Sequence, residues 1–168
     1  HRDLHSFPTR RSSDLNTGRP DPDSHSFNRY SSNYLDMSNE PLYPFGYGLS
    51  YTNFSYGNLQ LSSDVLSRNG ELTVSVTVTN DGDFDGYEIV QMYLHDIYAE
   101  ISRPVKELKG FERIFLKKGE SREVKFVITE DDLRFYNSGL QYVYEPGEFD
   151  VMVGANSRDV QTERFRAD

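Results

Sequence analysis

Ten residues, Glu71 to Asn80 (ELTVSVTVTN), alternate apolar and polar without a break. Leu72, Val74, Val76 and Val78 fall on one side, and Thr73, Ser75, Thr77 and Thr79 on the other. A period of two is the repeat of an extended strand; wound as a helix, the same sequence would scatter its valines around the axis. β-Branched residues on both sides strengthen the preference. A strand with one oily face must bury that face against a second layer. The rest of the chain therefore has to supply partners.

It does so in short alternating runs separated by turn residues. Asn53 to Ser63 offers Phe54, Tyr56, Leu59 and Leu61, with a kink expected at Gly57, and Arg68-Asn69-Gly70 then turns the chain. Asn80-Asp81-Gly82 leads into Tyr87 to Asp96, where Val90, Met92 and Leu94 are expected to face the core and Ile89, Gln91, Tyr93 and His95 the opposite side. An irregular loop, Ile97 to Pro104, precedes Val105 to Leu116, which reads as a strand pair or one bulged strand. After Lys117-Lys118-Gly119-Glu120, Glu123 to Thr129 points Val124, Phe126 and Ile128 inward. Thr129 to Asp132 fits a capping box, so Asp131 to Phe135 is expected to be a short helical turn. Leu140 to Tyr144 and Glu148 to Gly154 read as a hairpin about Glu145-Pro146-Gly147, and Val160 to Phe165 as a last edge strand. About seven short strands with Gly-containing turns predict an all-β, antiparallel sandwich of the immunoglobulin or fibronectin type III-like kind. Cys and Trp are both absent, which excludes an antibody-type domain and leaves the core to aliphatic and Phe/Tyr packing. At about 25 cal/mol per Å² of apolar area that is sufficient for a domain of this size.

The charge balance narrows the partners. Twenty-seven acidic residues against 18 basic ones give a net charge of -9, which argues against nucleic acid and anionic membrane surfaces. The lack of Cys removes disulfides, thiolate metal sites and a Cys nucleophile. No apolar run approaches the ~20 residues of a membrane span.

Ahead of the strands lies Pro41-Leu-Tyr-Pro-Phe-Gly-Tyr-Gly-Leu-Ser-Tyr-Thr52. Pro41 and Pro44 hold it extended or turned, and Gly46 and Gly48 permit positive φ and close approach. So many aromatics in an irregular stretch suggest a fixed strap that pins one module to another. Upstream, Asn16 to Glu40 is polar, with two X-Pro steps, and reads as a loop whose Phe27, Tyr30, Tyr34 and Leu35 dock on something. Residues 1–15, HRDLHSFPTRRSSDL, have no usable periodicity and look like sequencing-adapter read-through, with a natural disordered tail as the alternative.

PLYPFGYGLSYT, with NTGRP upstream (Asn16 to Pro20) and SRPVKELKGFERIFLKKGES downstream (Ser102 to Ser121), resembles the C-terminal end of a bacterial family 3 glycoside hydrolase of the β-glucosidase type. The resemblance runs from about Asn16 to the end. It implies a division into residues 1–15, an exit loop and interdomain strap over 16–52, and a fibronectin type III-like sandwich over 53–168. It also implies a retaining parent enzyme, with an Asp nucleophile and a Glu acid/base in upstream domains, acting on terminal β-glucosides. Neither catalytic motif has a match in this chain, so no catalytic residue is assigned and the chain alone is expected to be inactive. The implied role is structural, with the upstream domains of the same polypeptide as partner, a homodimer face as a further option, and a periplasmic or secreted location. A freestanding carbohydrate-binding or adhesion module is the alternative, and a β-xylosidase parent of the same family differs only upstream.

Other constellations are weaker. Asp81, Asp83, Asp85 and Gly86 open like a calcium loop, but its twelfth position falls on Met92, a poor ligand for a hard cation. Glu130, Asp131 and Asp132 are adjacent acids better suited to helix capping than to two-carboxylate chemistry across a cleft. His1, His5, His25 and His95 lack metal-ligand spacing. No metal and no cofactor is expected. Tyr43, Phe45, Tyr47 and Tyr51 are candidates for interdomain packing or a sugar platform. Arg103, in Ser102-Arg103-Pro104, is a candidate interdomain contact or a solvated loop residue.

Overall fold

The computed structural model describes residues 41–101 and 103–168. The expectations for residues 1–40, and for Ser102, lie outside them. The described residues form ten strands and one helical turn: β1 (Phe54–Leu61), β2 (Val65–Leu66), β3 (Glu71–Asn80), β4 (Gly86–Asp96), β5 (Glu107–Leu116), β6 (Ser121–Thr129), α1 (Glu130–Leu133), β7 (Phe135–Tyr136), β8 (Tyr142–Val143), β9 (Gly147–Gly154) and β10 (Val160–Ala167). One sheet has the order β1-β3-β6 and the other β2-β10-β9-β4-β5; β7 and β8 form a separate ribbon. The two larger sheets make the expected β-sandwich.

β3 carries the three-stranded sheet. It pairs with β6 in unbroken antiparallel register from Glu71↔Thr129 to Thr79↔Ser121. Leu72, Val74, Val76 and Val78 are all buried, as their alternation requires. β1 runs along the other side of β3, with its register shifted between Gly57 and Gln60. That bulge, with Asn58 at φ 54°, lets Phe54 and Tyr56 and then Leu59 and Leu61 all pack on the core despite their odd spacing. The facing sheet contributes Val90, Met92 and Leu94 from β4, Ile114 and Leu116 from β5, Phe149, Val151 and Val153 from β9, and Phe165 from β10. Phe149 and Phe165, paired across β9 and β10, stack at 5.6 Å.

Two expectations are corrected, and one alternative is decided. The segment 140–144 does not form a hairpin with 148–154: β8 pairs with β7, while β9 pairs with β4 and β10. Asn137 explains the choice, because its side-chain oxygen accepts from the amides of Gly139 and Gln141 and closes a tight turn before Tyr142. β10 is not an edge strand, since β2 adds to it in parallel through Arg166↔Val65 and Ala167↔Leu66. Of the two readings of Val105 to Leu116, the bulged strand holds: Glu107–Leu116 is one strand, with its bulge opposite Met92 and Tyr93. The capped turn appears as α1, where the Asp132 carboxylate accepts from both the amide (2.8 Å) and the hydroxyl (2.9 Å) of Thr129.

Candidate functional site

The face that stands out is the outer side of the five-stranded sheet. Alternation alone would leave Gln91 and Tyr93 of β4 in water, yet they are only 5% and 1% exposed. The strap, residues 41–52, covers them. Pro44, Phe45, Gly46 and Tyr47 make a β-turn closed by the Tyr47 amide on the Pro44 carbonyl at 3.0 Å. Gly46 takes its third position with φ +78°, the left-handed value a type II turn demands there. A Cβ on Gly46 would also overlap the Gln91 amide.

Gln91 holds the turn down. Its Nε2 donates to the carbonyls of Gly46 (3.1 Å) and Ala155 (2.6 Å), and its Oε1 accepts the Tyr93 hydroxyl at 2.5 Å. Burial pushes the Tyr93 phenol up to about 12, so it stays a donor. The loop between β9 and β10 grips the strap from the side: the Ser157 amide donates to the Phe45 carbonyl (2.9 Å), and the Arg158 guanidinium to that of Pro41 (2.6 Å). Asn156 shapes this loop by accepting from the amides of Arg158 and Asp159, both at 2.9 Å.

The other end of the strap is fixed by Asn80, which is fully buried. Its Oδ1 accepts the Thr52 hydroxyl (2.6 Å) and its Nδ2 donates to the carbonyls of Phe84 (2.8 Å) and Leu116 (3.1 Å). One amide thus ties the strap to the β3–β4 turn and to the end of β5. Gly82 and Gly86 leave the room that Thr52 fills.

The candidate aromatics divide. Tyr43 and Tyr47 lie together, ring centroids 5.2 Å apart, with their outer faces open. Phe45 turns inward enough to meet Tyr93 edge-on at 6.4 Å. Tyr51 stands free at 96% exposure. With Leu42 and Leu49, also exposed, these residues give the strap an apolar outer surface. Arg103 is elsewhere. It is not solvated: its guanidinium binds Asp96 (2.9 Å), Glu107 (2.8 Å) and the Leu133 carbonyl (3.3 Å), and lies 4.8 Å from the Phe135 ring centre. Burial works to raise the Glu107 carboxyl, but Lys109 and Arg103 outweigh it and hold it below its ordinary value.

The acidic candidates have partners of their own. Asp83 pairs with Lys118 at 2.7 Å and Asp85 accepts the Lys118 amide at 2.9 Å. Glu130 and Asp131 both meet Arg134. His95 lies 3.9 Å from Asp150. Among the described residues no three His, Asp or Glu side chains gather as metal ligands, and no helix is long and apolar enough to cross a membrane. What this face can do chemically is bury apolar area against another surface. Gln91, Tyr93 and Arg158 were missed as site residues, because nothing in an alternating pattern tells which outer face a distant segment will cover.

Residues 88–157 match the fibronectin type III-like domain family. The chain is 50% identical over 154 residues to a periplasmic β-glucosidase of Salmonella typhimurium, covering 91% of this chain and 20% of that protein. It is 51% identical over 125 residues to a β-xylosidase of Formosa agariphila, covering 74% and 17% respectively. Among solved structures, a mutant β-glucosidase from Listeria innocua in complex with laminaribiose superposes with a TM-score of 0.83 at 44% identity, covering 94% of this chain and 22% of that one. The chain spans about a fifth of the length of the curated relatives it matches.

Proposed function

Because the chain carries the fibronectin type III-like domain that occurs in β-glucosidases of glycoside hydrolase family 3, we propose that it is the non-catalytic C-terminal structural domain of such an enzyme. The strap is the observation that carries the reading. The segment that carries Tyr43, Phe45, Tyr47 and Tyr51 is pinned by hydrogen bonds at Phe45, Gly46 and Thr52, yet these rings remain substantially open to water. Ordering a segment costs conformational entropy, and doing so to leave oily rings in solvent gains nothing unless a partner covers them. In this reading the partner is the upstream catalytic part of the same polypeptide, which the strap fixes in position.

The parent would hydrolyse terminal β-D-glucosyl residues by the retaining route, with both carboxylates upstream of this chain. A β-xylosidase parent stays open, since relatives bearing that name match as well. Export of the parent follows the Salmonella relative, which is named periplasmic. A sugar platform on the strap is less favoured: Tyr43 and Tyr47 are tilted by 38° and Phe45 is turned toward Tyr93, so the rings do not form one flat surface. The test is direct. The purified 168-residue chain should give no turnover of an aryl β-D-glucoside, and turnover above a blank overturns the proposal.

A further inference from the structure

The three-stranded sheet ends on β6, and this edge differs from the others in the sandwich. β1 is bulged and its Tyr56 carbonyl accepts from Gln161 at 2.7 Å; β2 has only two residues; β5 is bulged against β4. β6 runs from Ser121 to Thr129 with no proline, no glycine and no break in its register with β3. The direction of its hydrogen bonds follows from β3. The Asp81 amide donates to the Asn53 carbonyl and the Ser62 amide to that of Thr73, so odd-numbered residues of β3 bond toward β1 and even-numbered ones toward β6. The even-numbered residues of β6 answer them, from Arg122↔Val78 to Ile128↔Leu72. The amides and carbonyls of Ser121, Glu123, Lys125 and Val127 therefore point away from the sheet. Thr129 closes the row, its amide taken by the Asp132 carboxylate. Among the described residues no other strand pairs with this edge.

We infer that the open edge of β6 pairs with β6 of a second copy of this chain, antiparallel about a two-fold axis at Val124. The two three-stranded sheets then join into one that crosses the dimer. The inference goes beyond the proposed function, because the strap is held on the other sheet, by Gln91 of β4.

Charge complementarity selects the partner and the register. Charged side chains on an edge ordinarily discourage pairing. Here, however, the signs alternate: Glu123 and Lys125 lie on the same outer face, 2.9 Å apart, and their side chains are 55% and 58% exposed. Antiparallel pairing about Val124 sets Glu123 opposite the partner's Lys125, and Lys125 opposite the partner's Glu123. Ser121 and Val127 oppose each other at the two ends. A slide of two residues one way would set Glu123 against the partner's Glu123; the other way, Lys125 against the partner's Lys125. Opposite charges directly across a strand pair stabilise it and like charges destabilise it. A slide of one residue would face these backbone groups with residues whose own amides and carbonyls are already bonded to β3. The alternating charges thus exclude the neighbouring registers and leave the two-fold one in place.

Analytical ultracentrifugation of the 168-residue chain between about 10 μM and 1 mM tests this, a range that reads weak pairing. A reversible monomer–dimer equilibrium is expected. Glu123→Lys should weaken the dimer by about tenfold or more, because the symmetry turns one substitution into two like-charge pairs. Adding Lys125→Glu restores the opposition with the signs reversed, and should return the dimer to within about threefold of the parent. Hydrogen exchange reads the backbone: the amides of Glu123, Lys125 and Val127 should exchange more slowly as concentration rises. A chain that stays monomeric throughout overturns the inference, as does a dimer that ignores the single substitution or fails to recover with the double one. Exchange of those amides that is slow at every concentration also overturns it, since the edge is then covered within one chain. None of these outcomes bears on turnover of an aryl β-D-glucoside, so the two readings fail separately.

Discussion

Two residues carry most of the strap's geometry. Gly46 is required twice over, by its φ of +78° and by the Gln91 amide where a Cβ would go. Gly46→Ala should cost the docked strap about 1–3 kcal/mol, which local strain of this kind typically stores. Native-state hydrogen exchange reads it: the Ser157 amide, bonded to the Phe45 carbonyl, should exchange faster by roughly tenfold or more, with little change in the global urea midpoint. Asn80 acts at the other end and reaches further, since its four contacts join the strap, a turn and β5. Asn80→Asp removes both donors and sets a charge against two carbonyls. Urea denaturation at neutral pH should then show a loss of about 3 kcal/mol or more. An unchanged midpoint would mean that this amide is not what joins them.

Among the elements, the loop between β4 and β5 is where the sequence was least legible. The loop has no period to read, and from sequence Arg103 reads as an interdomain contact or a solvated side chain. The structure overturns the solvated reading: the side chain clamps that loop, joining β4 through Asp96, β5 through Glu107 and α1 through the Leu133 carbonyl. Its side chain and that of Asp96 are 8% and 3% exposed. Arg103→Met would strand the Asp96 carboxylate, so a loss of about 3–5 kcal/mol is expected in chemical denaturation. Adding Asp96→Leu should recover much of it, and failure to recover would place the cost in packing. The mistaken hairpin has a similar origin. Glu145-Pro146-Gly147 is a strong turn signal, but which strands flank a turn as partners is decided by the sheet that each can reach.

At the scale of the whole molecule, the two sheets are joined by more than apolar contact. The Tyr56 hydroxyl on β1 donates to Glu88 on β4 at 2.7 Å, between the layers. Burial raises the Glu88 carboxyl above its ordinary 4.5, and burial with the nearby carboxylate raises the Tyr56 phenol as well. A raised carboxyl means that the folded chain binds the proton more tightly than the unfolded one. Its contribution to stability is full below the unfolded pKa and declines as pH rises through the folded value. Glu88→Gln keeps an acceptor for Tyr56 and no charge. It should raise the urea midpoint at pH 7, with the gain shrinking as pH falls toward 4; a pH-independent gain would refute the buried charge as the cause. Glu107 runs the opposite way, its lowered carboxyl stabilising above the unfolded pKa and ceasing to do so as pH falls through the folded value. The sequence by itself determined the sandwich, because period-two alternation in β3, β4, β6 and β9 records a local fact: which side of a strand is oily. It also marked the strap, since prolines, glycines and aromatics declare themselves without neighbours. Only the tertiary structure decided where the strap lies, which outer face it covers, that Gln91 and Arg103 are buried, and that β10 lies inside its sheet. Those outcomes depend on contacts between residues far apart in the chain, and no local period encodes them.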